Sequence, residues 1–131
     1  MYSCVPAWDR EDFMATAKTE ITPPPSVFVD VGKLDWTPTK YKGVDVKVLY
    51  ENKDTGIFTA LFRWAPGSEF PLHEHVDIEQ TYVLEGALED EEGNCTAGNF
   101  VWRPSGSRHV ARSANGALLI AMLLKPNKFL A

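Results

Sequence analysis

Gly67-Ser-Glu-Phe-Pro-Leu-His73-Glu-His75-Val-Asp-Ile-Glu79-Gln-Thr-Tyr-Val-Leu-Glu-Gly86 carries two of the three histidines in the chain and a carboxylate close behind them. If Leu72 to His75 is extended, His73 and His75 stand two apart and project from one face, a chelating arrangement. The link Val76-Asp77-Ile78 is long enough to turn or bulge, so Glu79 can enter from the start of the next strand. Two imidazoles and one carboxylate from adjacent strands form the facial set favoured by non-haem iron and similar divalent metals. His109, which follows Pro104-Ser-Gly106 at the start of a further strand, can complete four protein ligands and leave positions for water or substrate. Grouped imidazoles repel when protonated and lose solvation when buried, so a shared cation is the economical reason for bringing them together.

Outward from this stretch the pattern is all-β. Short apolar runs alternate with turn residues at a spacing that suits a sandwich or barrel and no βαβ unit. The expected strands are Val44 to Tyr50, Ile57 to Trp64, Leu72 to His75, Ile78 to Leu84, Ala87 to Asp90, Phe100 to Arg103, Arg108 to Arg112 and Leu118 to Leu124. Nearly every break between them holds Gly, Pro or Asn, which supply positive or fixed φ at tight turns. The acidic run Glu89-Asp-Glu-Glu92 falls at an expected hairpin tip, where its charges would remain solvated. Residues 1–26 end in Pro23-Pro-Pro25 and read as an N-terminal arm, with residues 27–131 forming a single barrel domain. Val27-Phe-Val-Asp-Val31, just past the prolines, is either part of a frayed terminus or a strand added to this or a neighbouring subunit.

With 131 residues, 44% of them hydrophobic, the chain can bury a core without structural staples. Its formal net charge of -5 has the wrong sign for a protein that gains affinity by neutralising phosphates, so nucleic acid is not an expected partner. The longest apolar run, Ala117 to Leu124, is far short of a bilayer span, and the first residues lack the pattern of a secretory signal. Cytoplasmic residence is the resulting expectation. Cys4 and Cys95 have no CxxC spacing and read as free thiols, with no partner that would make Cys95 a nucleophile.

The sequence resembles the cupins. Their first motif, Gly, five residues, His-x-His, three or four residues, Glu, six residues, Gly, is matched in full by Gly67 to Gly86. Their second, Gly, five residues, Pro-x-Gly, two residues, His, three residues, Asn, is matched from Gly98 through Pro104, Gly106 and His109, with Ser113 in place of Asn. Nine specified positions coincide by chance with a probability of roughly 10⁻¹² per register. The resemblance implies a double-sheet jelly-roll barrel, the double-stranded β-helix of the cupins, with a metal held inside by His73, His75, Glu79 and His109. Lys33-Leu-Asp-Trp36, Tyr82-Val-Leu-Glu-Gly86, Asp90-Glu-Glu-Gly93 and Trp102-Arg-Pro-Ser-Gly-Ser-Arg-His109 are similar to the ChrR-type branch. That branch includes the cupin domain of zinc-binding anti-sigma factors and is similar to dioxygenases that cleave small diketones and hydroxyacetophenones. Those enzymes generally use three histidines without the carboxylate, so Glu79 counts against transferring their substrate directly.

Two functions follow as expectations. One is a metal-dependent dioxygenase acting on a small diketone or hydroxyketone, with Fe(II), or alternatively Zn, Ni or Mn, as the divalent ion. The other is a ChrR-like sensor or interaction module in which four ligands close a zinc site. Phe62, Tyr82 and Ala111 are the candidate pocket residues, and no catalytic side chain is assigned. Trp36, Trp64 and Trp102 are expected in the core or at the barrel rim, and Arg112 is expected outside. A homodimer that protects a sheet edge is the expected assembly.

Overall fold

The structure, a computed structural model, describes residues 22–130. Ten strands follow one another: β1 Thr37–Pro38, β2 Val44–Glu51, β3 Phe58–Trp64, β4 Ser68–Glu74, β5 Glu79–Glu89, β6 Asn94–Thr96, β7 Phe100–Arg103, β8 Arg108–Ser113, β9 Ala117–Leu123 and β10 Lys128–Phe129. Among the described residues a 3-10 turn, Val31–Lys33, precedes them, and no helix there is long and apolar enough to cross a membrane.

All pairings are antiparallel. One sheet runs β1-β2-β3-β9-β5-β7 and the other β10-β4-β8-β5-β6, so β5 belongs to both. The sequence pattern suggests two strands, Ile78 to Leu84 and Ala87 to Asp90, where the structure has one strand that bends. The bend is built from a register shift between Val83 and Glu85 and from Gly86 at φ 72°. A side chain at Gly86 would meet the carbonyl oxygen of Gly116 at 2.0 Å and the Ala117 Cα at 2.9 Å, which explains the glycine at this motif position. Gly86→Ala is expected to cost roughly 2–4 kcal/mol through left-handed strain and backbone collision, read as a lower urea midpoint. An unchanged midpoint would contradict this account of the bend.

Inside the barrel, alternate residues of each strand meet. Val44, Ala60, Trp64, Val83, Leu88, Ala111, Ala117, Leu119, Ala121 and Leu123 are buried, with Phe58, Phe62, Phe70 and Val101 packed against them. Ser113, where the motif has Asn, is fully buried, and its hydroxyl donates to the Ala87 carbonyl at 2.7 Å, tying β8 to the bend of β5. Cys95 is a buried free thiol whose pKa burial pushes up, as suits an inert core residue. Cys4 and most of the expected arm lie outside the described residues.

Strand β4 starts at Ser68 rather than at the expected Leu72, because its apolar alternation is interrupted by a bulge. Val27 to Asp30 belongs to no strand of this chain, and Val31 begins the 3-10 turn. The terminal β1 and β10 are two residues long.

Candidate metal centre

The bulge in β4 is what creates the site. Ser68 and Phe70 face inward, and strict alternation would place Leu72 inside next. A register shift between Phe70 and His73 instead turns His73 inward and leaves Leu72 partly exposed. Pro71 is tolerated there because a bulge leaves backbone groups outside the ladder, and its carbonyl accepts the His73 Nδ1–H at 2.8 Å. His75 follows two residues later, just past the strand, on the same inner side. His109 lies directly across from His73 in the β4–β8 pairing.

His73, His75 and His109 are all buried and offer ligand nitrogens within 4.8 Å of one another. Nε2 of His75 lies 2.9 Å from Nε2 of His109, so these two nitrogens converge. His73 and His109 spend their Nδ1 protons on Pro71 and Asp90, which leaves each Nε2 as a lone pair. Nδ1 of His75 is buried without a hydrogen-bond partner. Glu79, the first residue of β5, places Oε2 at 3.6 Å from that nitrogen and accepts hydrogen bonds from Thr81 Oγ1 at 3.3 Å and Asn127 Nδ2 at 3.4 Å. Its carboxylate thus approaches the cluster from the His75 side, outside the compact group of three histidines.

Burial pushes the Glu79 carboxyl above its ordinary range. It also holds all three imidazoles down, His75 to about 3, where the repulsion of His73 and His109 adds to burial. The donors fit a divalent cation: neutral imidazoles with free lone pairs, beside a buried carboxyl that a cation would ionise. The unfolded chain, with histidines near 6.5, binds more protons than the folded chain between that pH and about 3. Metal-free protein is therefore expected to lose stability as pH falls through this window, by up to about 1.4 kcal/mol per pH unit from His75, with His73 and His109 acting in the same direction. Glu79 acts in the opposite sense and reduces the slope. Urea midpoints between pH 7 and pH 4 check this, and a flat profile would refute it.

Asp90 corrects another expectation. Within Glu89-Asp-Glu-Glu92, Glu91 and Glu92 are exposed, but the Asp90 carboxylate is buried. Its Oδ2 accepts His109 Nδ1–H at 2.8 Å and forms an ion pair with the Arg103 guanidinium at 2.6 Å. Its Oδ1 accepts the backbone N–H groups of Glu92 and Gly93 at 2.8 and 3.1 Å. Burial alone would raise the Asp90 pKa, but the bonds from His109 and the tip backbone and the Arg103 charge together hold it below the ordinary carboxylate value. Asp90 thus orients a candidate ligand and fixes its tautomer, as carboxylates behind metal-bound histidines do.

The cluster opens into a cavity of about 490 Å³ that His73, His109 and Glu79 help to line. Phe58, Phe62, Trp64, Phe70, Leu119 and Phe129 make most of its wall apolar, with Asn127 and Thr81 near Glu79. Phe62 and Ala111 are among its lining residues. Tyr82 is not: Glu79, Thr81 and Val83 take the inner side of β5, so Tyr82 projects outward and is 40% exposed. Trp64 is buried inside, Trp102 stands on the outer face, and Trp36 lies beneath Lys47 and Arg63. Arg112 is exposed and pairs loosely with Glu91 at 3.5 Å, as a solvated charge. Asn127 and Phe129 come from the C-terminal segment, outside both motifs. Phe129 packs against His73 with ring centroids 5.2 Å apart.

A jelly-roll barrel with buried histidines converging on its interior defines a cupin with a candidate metal site. The sequence pattern of the ChrR cupin-like domain matches residues 24–127, and the chain belongs to that family. No curated protein matches it. Among solved structures, a candidate acetylacetone dioxygenase from Methylibium petroleiphilum is 20% identical, with a TM-score of 0.77 over 86% of each chain. An acetylacetone dioxygenase from Acinetobacter johnsonii is 20% identical, with a TM-score of 0.72 over 86% of this chain and 82% of that one. The complex of SigE with the anti-sigma ChrR from Rhodobacter sphaeroides gives 20% identity and a TM-score of 0.63 over 94% of this chain and 69% of that one. At these identities the likeness establishes the fold.

Proposed function

We propose that the protein is a mononuclear metal-dependent dioxygenase for an apolar diketone or hydroxyketone. His73, His75 and His109 hold the ion, and Glu79 supplies a fourth ligand. The observation that carries this reading is the apolar cavity of about 490 Å³ opening onto the histidines, space that a closed structural zinc site does not need. The bound ion, as Fe(II), would polarise the ketone oxygen and support chemistry with dioxygen.

The chain's own part is to bind, orient and keep water out. Phe62, Phe70 and Phe129 form an apolar sleeve that favours a flat hydrocarbon body, and polar groups at the Glu79 end favour its oxygen atoms there. Asn127 Nδ2 steadies the Glu79 carboxylate. Asp90 keeps the His109 lone pair aimed inward. The cavity is roomy for a five-carbon diketone, so an aryl substituent should be accepted.

Oxygen uptake by iron-loaded protein with acetylacetone and with benzoylacetone tests the proposal. Consumption matched to loss of the diketone is expected, with roughly tenfold or greater preference in KM for the aryl compound from the apolar area it buries. No uptake with either, together with tightly held zinc that admits no added ligand, would favour the second reading, a non-catalytic metal-binding module. The fold shared with ChrR is the observation behind that alternative.

A further inference from the structure

The chain leaves β9 at Leu123 and reaches β10 through Leu124-Lys125-Pro126-Asn127, passing from the first sheet to the second. Residues 124–130 thus form a strap across one end of the barrel. Pro126, Asn127 and Phe129 belong to the cavity wall, and Lys128, between the last two, is turned outward.

The strap is tied far more lightly than the strands around it. Strand β9 is paired along its whole length with β3 on one side and β5 on the other. Strand β10 meets β4 only at Lys128 opposite Glu74 and Phe129 opposite His73, after which the Leu130 N–H donates to the Leu72 carbonyl at 2.9 Å. The far end is held by the Leu124 N–H on the Ile78 carbonyl at 3.2 Å. Between these points Pro126 has no N–H to give, and Asn127 Nδ2 reaches Glu79 at 3.4 Å. The turn between β2 and β3 comes up against the strap at Gly56, where a Cβ would lie 3.2 Å from Pro126 Cδ, so no side chain clasps it there.

Ring packing supplies the rest of the hold. The Phe129 centroid lies 4.7 Å from Tyr41, 5.9 Å from Phe70 and 5.2 Å from His73, which is itself only 2% exposed. Phe129 therefore covers a candidate metal ligand with a contact that is apolar and non-directional, one that can be broken and remade without stranding a polar group.

We propose that residues 124–130 are the gate of the cavity. Strand β10 unpairs from β4, Phe129 leaves its place between Tyr41 and His73, and a flat ligand passes to the histidines before the wall closes behind it. Opening disturbs one short ladder and one ring while both sheets stay paired, as in the local openings from which lids are drawn. Closure keeps water from the site. The gate rests on the proposed function only for the identity of the ligand admitted, since the motion belongs to the metal-free chain as well.

Hydrogen exchange of the metal-free full chain should show the Leu130 amide exchanging at least 100-fold faster than the amides of β9. Equal protection would overturn the gate. Glu74 and Lys128 stand opposite each other in the ladder and outside the cavity wall, so Glu74→Cys with Lys128→Cys, in a Cys4→Ser background, can tie the strap shut with a disulfide. Iodobenzene, a flat apolar quencher that needs no metal, should then reach the buried Trp64 of the cavity wall at least tenfold more slowly than in the reduced protein, read by stopped-flow fluorescence. The exposed Trp102 is quenched at once in both forms. Phe129→Ala, which removes the fastening ring and needs no cross-link, should speed entry at least tenfold. Entry as fast in the disulfide form as in the reduced one, unaccelerated entry in Phe129→Ala, or no slow phase in the wild type would each overturn the gate and leave the metal centre untouched. Entry that follows the strap, with no oxygen uptake from any ketone, would keep the gate and remove the dioxygenase.

Discussion

Alanine at His75 is expected to leave the chain without stoichiometric bound metal. The affinity of wild-type protein should fall by at least 100-fold, because one of three converging nitrogens is removed and the ion is left with His73 and His109. Elemental analysis of protein purified without chelator, followed by competition with a chromophoric chelator, gives both numbers. The substitution also empties a fully buried position, so a stability loss of about 2 kcal/mol accompanies it. His75→Gln, which fills more of that space, separates the two effects: it should recover much of the stability and little of the metal affinity. Glu79→Gln should weaken binding less than His75→Ala, since the carboxylate stands outside the compact histidine group. Undiminished metal in His75→Ala would remove the basis of the proposed centre.

The second large effect is expected at Asp90, which touches no candidate metal position itself. Its carboxylate answers two donors at once, His109 Nδ1–H and the Arg103 guanidinium. Both meet Oδ2, while Oδ1 accepts the backbone N–H groups of Glu92 and Gly93, so an amide must present its N–H₂ either to His109 and Arg103 or to those backbone donors. Asp90→Asn should therefore lower metal affinity by roughly 10–100-fold through a loosened or wrongly protonated His109. It should also reduce the stability of the metal-free protein by about 3 kcal/mol, because Arg103 is left largely buried without its counter-charge. Arg103→Met is the informative companion, since it removes the cation yet leaves the His109–Asp90 bond. Metal affinity close to wild type in Arg103→Met, with the deficit retained in Asp90→Asn, would assign the effect to imidazole orientation. An Asp90→Asn protein that binds metal normally would show that His109 needs no such support.

The histidines were legible because motif spacing specifies them, and the strand list was legible because turn residues separate nearly every pair. What the pattern could not reveal was the bulge at Pro71-Leu72, since an extra residue in one strand changes facing without changing composition. Tyr82 was recoverable by parity: once Glu79 is placed inward, Thr81 and Val83 follow it and Tyr82 must face out. Asp90 was hidden among three glutamates of the same charge. The available signal was its type, because Asp at the start of Asp90-Glu-Glu-Gly93 suits a side-chain-capped turn in a way that Glu does not. Arg103 and Asn127 gave no signal, since their partners arrive from distant segments and only the folded topology brings them together.

Strand β5 begins with Glu79 and ends one residue before Asp90, so opposite ends of a single bent segment serve opposite sides of the same cluster. Neither end is useful until the bend at Gly86 has delivered the strand into both sheets. A divalent ion held as proposed would therefore meet its full set of ligands and their support only once the strand has joined both sheets.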